Sequence, residues 1–346
     1  MLLILVFVAL LWGLGAALKT PVRARMIMIG LLVVGVLAVH VILPHGHPLR
    51  EALGGTPNDL LLLAILAAIA LTYRAILERV RKRAKRTESE REPVKTGSFS
   101  EAELHRYARH IVLREVGGAG QKALKEASVL VIGAGGLGSP ALQYLAAAGV
   151  GTIGIVDDDV VDSANLHRQV IHKDADLGVP KVFSAQAEMV AQNPFVSVKP
   201  YNRRLDEATA QELFAEYDVV LDGTDNFVTR YLVNAAAVAT KTPLVSGALT
   251  QWEGQISVFD PAQDAPCYAC VFPKAPDPSL APPCSEAGVI GPLPGVIGTM
   301  MALEAVKLIT DAGQVLRGEM LIYDGLYGET RKVRLARRPD CAVCGV

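Results

Sequence analysis

At Ser128 to Ile132 five strand-forming residues (SVLVI) run directly into Gly133, Gly135 and Gly138, and a stretch of small residues from Pro140 to Ala148 follows. This junction leaves few folds open. A short, wholly apolar run bounded by glycine reads as a buried strand, the small-residue stretch as a helix, and Thr152 to Asp157 as a second strand, which together make a βαβ unit. In a G-x-G-x-x-G loop the glycines let backbone N–H groups approach phosphate oxygens, and the helix that follows favours negative charge. Asp157, at the end of the second strand, can accept hydrogen bonds from a ribose. The alternative for the loop is a tight turn that binds nothing.

The alternation continues with a helix from about Lys181 to Gln192, a strand at Val196 to Pro200, a helix at Glu207 to Glu216 and a strand at Val219 to Asp222. The expected class is therefore α/β, a Rossmann-like and mostly parallel sheet with helices on both faces. Ahead of it, Ser100 and Glu103 have capping-box spacing, and a helix from Glu101 to Leu113 would put Arg106 and Arg109 on one face. Beyond Pro243 the texture changes. Strands at Pro243 to Ala248, Gln255 to Phe259, Glu319 to Tyr323 and Thr330 to Leu335 imply a β-rich C-terminal part, with a helix at Gly295 to Thr310 and a proline-rich loop from Pro273 to Pro294 long enough to need a purpose.

Hydrophobic residues make up 51% of the chain, more than such a domain needs, and the excess sits in the first eighty residues. Met1 to Leu18, Met26 to Leu43 and Leu60 to Leu77 are apolar runs that would each span roughly 27 Å as helices, close to a hydrocarbon core. The third contains Arg74. The first lacks a basic leader region, so it reads as a span and not as a cleaved signal peptide. Basic residues lie between runs one and two (Lys19, Arg23, Arg25) and after run three (Arg79, Arg81, Lys82, Arg83, Lys85, Arg86), which places the N-terminus outside and the rest in the cytoplasm. The expected organisation is a multi-pass segment in the cytoplasmic membrane over 1–80, a charged linker over 81–98 and a globular body over 99–346. A formal charge of −1, with its basic cluster beside the membrane runs, gives no reason to expect a nucleic-acid partner.

Several residues could carry chemistry. Asn165, Arg168 and Gln169 (NLHRQ) and Lys181 would bring two cations and two amides to the phosphate end of a nucleotide. A nicotinamide oxidoreductase shares the glycine loop but has little use for that cluster, whereas cleavage of a triphosphate does. Asp225, in LDGTDN just past a strand end, reads as a Mg²⁺ ligand or as a helix N-cap, with Asp222 as the alternative carboxylate. Cys267 and Cys270 (CYAC) pair with Cys341 and Cys344 (CAVC) as a tetrahedral Zn²⁺ site, a redox dithiol being the alternative. Cys284 is left over in the proline-rich loop, either inert or able to form a thioester or mixed disulfide. The seven histidines form no metal-ligand pattern and read as structural or surface residues.

Taken together, RYARHI, GAGGLGS, DDDVVDSANLHRQ, GVPK, LDGTDN, CYAC, CSEAGV and CAVC resemble the MoeB/ThiF/HesA family of ubiquitin-activating-type adenylyltransferases, in order from about Ser98 to Gly345. The resemblance implies that Gly133, Gly135, Gly136 and Gly138 hold the phosphates of ATP and Asp157 its ribose. It implies that Asn165, Arg168, Gln169 and Lys181 meet the triphosphate, that Asp225 binds Mg²⁺, and that the four paired cysteines hold a structural zinc. Arg109 resembles the arginine contributed across a homodimer, and Cys284 the cysteine of a mobile crossover loop. The implied partner is a MoaD-like or ThiS-like sulfur carrier ending in Gly-Gly. No rhodanese-like stretch accompanies the motifs, which implies a separate sulfur donor. Relatives acting on tRNA-borne or peptide carboxylates are the alternative within the family.

Overall fold

A computed structural model describes residues 7–8, 10–14, 20, 22–44, 46–53, 72–73, 99–276 and 287–345. The chain divides into two compact units, residues 1–94 and 95–346.

In the first unit, helix α1 (Val22–Ile42) covers most of the second apolar run and is followed by the short α2 (Pro48–Leu53). At 21 residues α1 is about 31 Å long. Ile27, Leu31, Val41 and Ile42 are exposed along it, while Val36 is buried against Val8 and Leu53. The first run is described only in part, and the third run, Arg74 and the 81–98 linker lie almost wholly outside the described residues. Three spans are therefore not carried by the structure. Among the described residues the helix that is long and apolar enough to cross a membrane by composition is Pro292–Thr310, and it belongs to the core of the second unit.

The second unit opens with α3 (Glu101–Ile111), whose capping box forms as its sequence implies: Ser100 Oγ accepts from Glu103 N–H and the Glu103 carboxylate accepts from Ser100 N–H. Helix α4 (Gly117–Glu126) leads into β1 (Ser128–Ile132), α5 (Gly138–Ala148) and β2 (Thr152–Val156). Then come α6 (Lys181–Gln192), β3 (Ser197–Tyr201), α7 (Glu207–Phe214), β4 (Val219–Asp222), α8 (Phe227–Thr240), β5 (Leu244–Leu249), β6 (Glu253–Phe259), α9 (Tyr268–Val271), α10 (Pro292–Thr310), β7 (Glu319–Asp324) and β8 (Glu329–Arg334).

The eight strands among the described residues form one sheet in the order β3-β2-β1-β4-β5-β6-β7-β8. Pairings from β3 to β5 are parallel, and those from β5 to β8 antiparallel. The β-rich C-terminal part expected as an addition is thus an extension of the same sheet. It can be, because β5 turns tightly into β6 through residues 250–252 and their ladder runs from Leu244 with Phe259 to Leu249 with Gly254.

Successive side chains on a strand point to opposite faces, so the apolar run of β1 feeds two cores. Val129 and Val131 join Leu142, Leu145, Val182, Ile297 and Met301 on one face. Leu130 and Ile132 join Phe214, Val233 and Tyr268 on the other. Burial on both faces explains why β1 reads as continuous hydrophobics.

Candidate functional site

The crossovers leave β1 toward β2 on one side and reach β4 on the other, which opens a crevice beyond the strand ends, where open α/β sheets hold ligands. A cavity of about 890 Å³ lies there, lined among others by Gly133, Gly135, Gly136, Asp157, Arg168, Gln169, Lys181 and Asp225. Most of the polar residues named from the sequence are therefore brought together.

The glycines have separate duties. Gly133 sits at φ +93°, a backbone conformation that disfavours a side chain. At Gly138 a Cβ would stand 1.9 Å from the Gly133 carbonyl oxygen, so only glycine lets α5 start against the loop. Asp157 organises the turn: Oδ2 accepts from Ala134 N–H at 2.7 Å and Oδ1 from Asp159 N–H at 2.8 Å. Burial pushes its carboxyl above the usual range, against the Lys181 ammonium and the two amide donors. Each oxygen keeps a lone pair for a ligand hydroxyl.

Lys181 is only 4% exposed, and its ammonium donates to Asp159 Oδ2 at 2.7 Å. Arg168 Nη2 donates to Asn165 Oδ1 at 2.7 Å, so Asn165 orients the guanidinium without itself lining the cavity. Gln169 is buried, and its Oε1 has no hydrogen-bond partner among the described residues.

The two strand-end carboxylates separate cleanly. Asp222 is 1% exposed and accepts from Thr224 N–H, Thr224 Oγ1 and Ser246 Oγ beside the Arg230 guanidinium. It is a structural group. Asp225 is exposed at the cavity, and the N-cap of α8 is Asn226, whose Oδ1 accepts from Thr229 N–H at 2.9 Å. The capping alternative for Asp225 is thereby removed. Asp157, Asp158 and Asp159 also bring carboxylate oxygens within 4.8 Å of one another.

Arg109 is exposed on α3 and does not line the cavity of its own chain, while Arg106 on the same helix donates to the Gln192 carbonyl. Cys284 lies outside the described residues. Sequence reasoning missed Arg203 and Arg204, in NRRLD past β3, as well as Lys274 and Arg230, all of which line the cavity. The place of NRRLD after a parallel strand was the available signal for the first two.

Away from the cavity, Cys267, Cys270, Cys341 and Cys344 are buried together. Their Sγ separations of 3.8, 3.7 and 3.3 Å are far beyond a disulfide at ~2.05 Å. They are close to the ~3.8 Å between ligands of a tetrahedral zinc with Zn–S of ~2.3 Å. Asn234 Nδ2 and Arg338 N–H point at Cys267 and Cys270 sulfurs at 3.8 and 3.5 Å, the outer donors that thiolate ligands attract. Burial pushes the Cys267 thiol up, a penalty that a bound cation would reverse.

Sheet, glycine loop and strand-end cations define an α/β protein with a nucleotide-type site. The ThiF family model matches residues 107–343, and the chain belongs to this family. It is 49% identical over 251 residues to the sulfur carrier protein adenylyltransferase of Thermus thermophilus, covering 71% of this chain and 93% of that one. It is 48% identical over 250 residues to the SAMP-activating enzyme E1 of Haloferax volcanii, covering 72% and 92%. Among solved structures, Escherichia coli MccB with AMPCPP and MccA superposes with a TM-score of 0.63 over 73% of this chain and 77% of that one. At 22% identity that likeness shows the fold.

Proposed function

We propose that this protein adenylylates the C-terminal glycine carboxylate of a ubiquitin-like sulfur carrier of the MoaD or ThiS kind, using ATP and releasing pyrophosphate. The observation that carries the reading is one cavity in which Arg168, Lys181 and the open carboxylate of Asp225 face a glycine loop, in a chain about half identical to proteins named for that activity. A nicotinamide oxidoreductase would share the loop but would leave these groups without a purpose.

A peptide C-terminal carboxyl has a pKa of roughly 3.5, so at neutral pH it is already an anionic nucleophile and needs no general base. One of its oxygens attacks the α-phosphorus, the bond from that phosphorus to the bridging oxygen breaks, and pyrophosphate leaves with the electron pair. The demand on the protein is to bring two anions together and to neutralise the leaving group. Lys181 would exchange Asp159 for phosphate oxygens, Arg168 would keep its orientation through Asn165, and backbone N–H groups at Gly133 to Gly138 would cradle the phosphates. Asp157 would receive the ribose hydroxyls.

Mg²⁺ at Asp225 would screen charge on the phosphates, and Zn²⁺ on the four cysteines would tie the C-terminal turn to α9. In the same reading Arg109 reaches the neighbouring subunit's site in a homodimer, and Cys284 corresponds to the crossover-loop cysteine of the family. We also propose the organisation read from the sequence, with a multi-pass anchor in the cytoplasmic membrane over 1–80, a linker over 81–98 and the enzyme over 99–346. The exposed apolar side chains of α1 support an apolar surrounding for that segment.

The test is carrier-dependent release of pyrophosphate from ATP. Lys181→Ala and Asp225→Ala should abolish it while leaving zinc content unchanged. Absence of release with every Gly-Gly-tailed carrier tried would remove the proposal.

A further inference from the structure

His172 has no part in the site as described so far, yet it is 6% exposed and joins two of its components. It lies three residues past Gln169 in the segment that carries Arg168. Its Nε2 is 3.0 Å from the Ala134 carbonyl oxygen inside the glycine loop, and its Nδ1 is 2.9 Å from Ser184 Oγ on α6. Ser184 Oγ is in turn 2.8 Å from Asp176 Oδ2.

Three contacts of hydrogen-bond length require three protons. The Ala134 carbonyl and an ionised Asp176 carboxylate supply none, the Ser184 hydroxyl supplies one, and a neutral imidazole supplies one. One contact is then left as two facing lone pairs. Only an imidazolium, with N–H at both ring nitrogens, completes the chain. The carboxylate that favours it is Asp176, reached through Ser184, and the cation that opposes it is Lys181 on α6. The loop presents backbone at this point, its Ala134 N–H being held by Asp157. Burial pushes the imidazole below its usual range; the Ala134 carbonyl works against this, the Lys181 ammonium adds to it, and Asp176 works against it.

Lys181 lines the cavity, so an arriving triphosphate would place several negative charges against the cation that adds to burial in opposing an imidazolium at His172. We propose that His172 is a positioning residue that takes up a proton from solvent when a triphosphate fills the cavity, and that the imidazolium so formed pins the Ala134 carbonyl and fixes the glycine loop. The inference rests on the ATP reading above and adds to it a coupling between nucleotide and proton.

The experiment is titration calorimetry of the full-length protein with a non-hydrolysable ATP analogue, in buffers of different ionisation enthalpy between pH 6.5 and 8. Protonation of the nucleotide itself contributes equally to every variant and drops out of differences. Wild type should take up more protons per nucleotide than His172→Gln, whose amide can still donate to Ala134 but does not titrate. Ser184→Ala, which disconnects Asp176, should lose the same increment and serves where the His172 variant does not fold. Equal proton counts in wild type and a nucleotide-binding variant would overturn the inference and leave the ATP reading standing. A wild-type protein that binds no nucleotide would overturn both.

Discussion

Replacing Arg230 by methionine should destabilise the second unit severely, and the structure allows the size to be worked out. The guanidinium is 6% exposed and stands 3.5 Å from the Asp222 carboxylate, itself 1% exposed. It also donates to Ser246 Oγ at 3.1 Å, to the Gly247 carbonyl at 2.7 Å and to the Thr224 carbonyl. Methionine keeps most of the stem but leaves a buried carboxylate without a cation and two carbonyls without donors. Removing one member of a buried pair costs about 3–5 kcal/mol, and the stranded carbonyls belong to that same penalty and should not be added to it. For a unit of this size each kcal/mol lowers the melting midpoint by roughly 2–4 °C, so the expected fall is about 6–20 °C. Thermal unfolding followed by circular dichroism measures it, with Asp222→Asn/Arg230→Met recovering part of the loss because the buried charge goes too. Asp225→Ala is the control: its exposed side chain should cost no more than ~0.5 kcal/mol. A fall below about 2 °C for Arg230→Met, or an equal fall for Asp225→Ala, would refute the division of these two carboxylates into structural and chemical roles.

Metal analysis of the purified protein should find about one zinc per chain, and Cys270→Ser or a strong chelator should remove it and lower the melting midpoint, since structural zinc supplies on the order of 10 kcal/mol. Gly138→Ala should abolish binding of a fluorescent ATP analogue, because its Cβ would meet the Gly133 carbonyl carbon at 2.9 Å as well as the oxygen; retained affinity would place the nucleotide elsewhere. Glu103 is buried beside Lys125 at 2.7 Å; desolvation raises its pKa, but the Lys125 ammonium and the Ser100 donors outweigh that and hold it below the usual carboxylate range. Its contribution is therefore present at neutral pH and lost as pH falls through that depressed value. Glu103→Gln should lower the urea midpoint at pH 7 and approach wild type in acid.

Local reading of the chain succeeded where one physical signal dominated. The β1 run, the α6 boundaries at Lys181 and Gln192, and the Ser100 capping box all emerge as read, because burial, a preceding proline and a side-chain cap act within a few residues. Helix α4 begins at paired glycines and was not legible, since its stability comes from packing against α10 rather than from a strong start signal, and α8 entered the sequence reading only as the helix for which Asp225 was a candidate cap.

By itself the sequence determined the strand–glycine–helix junction, the two C-x-x-C pairs and the group of polar residues that a phosphate chemistry would need, because spacing along the backbone is enough to define each. Tertiary structure alone decided that β5 to β8 extend one sheet, that Arg230 meets Ser246 and the Gly247 carbonyl beside Asp222, and that His172 reaches the loop. These depend on which strands become neighbours and which side chains meet across them. Such contacts join residues far apart in the chain, and their energy exists only once the two cores have closed around the sheet.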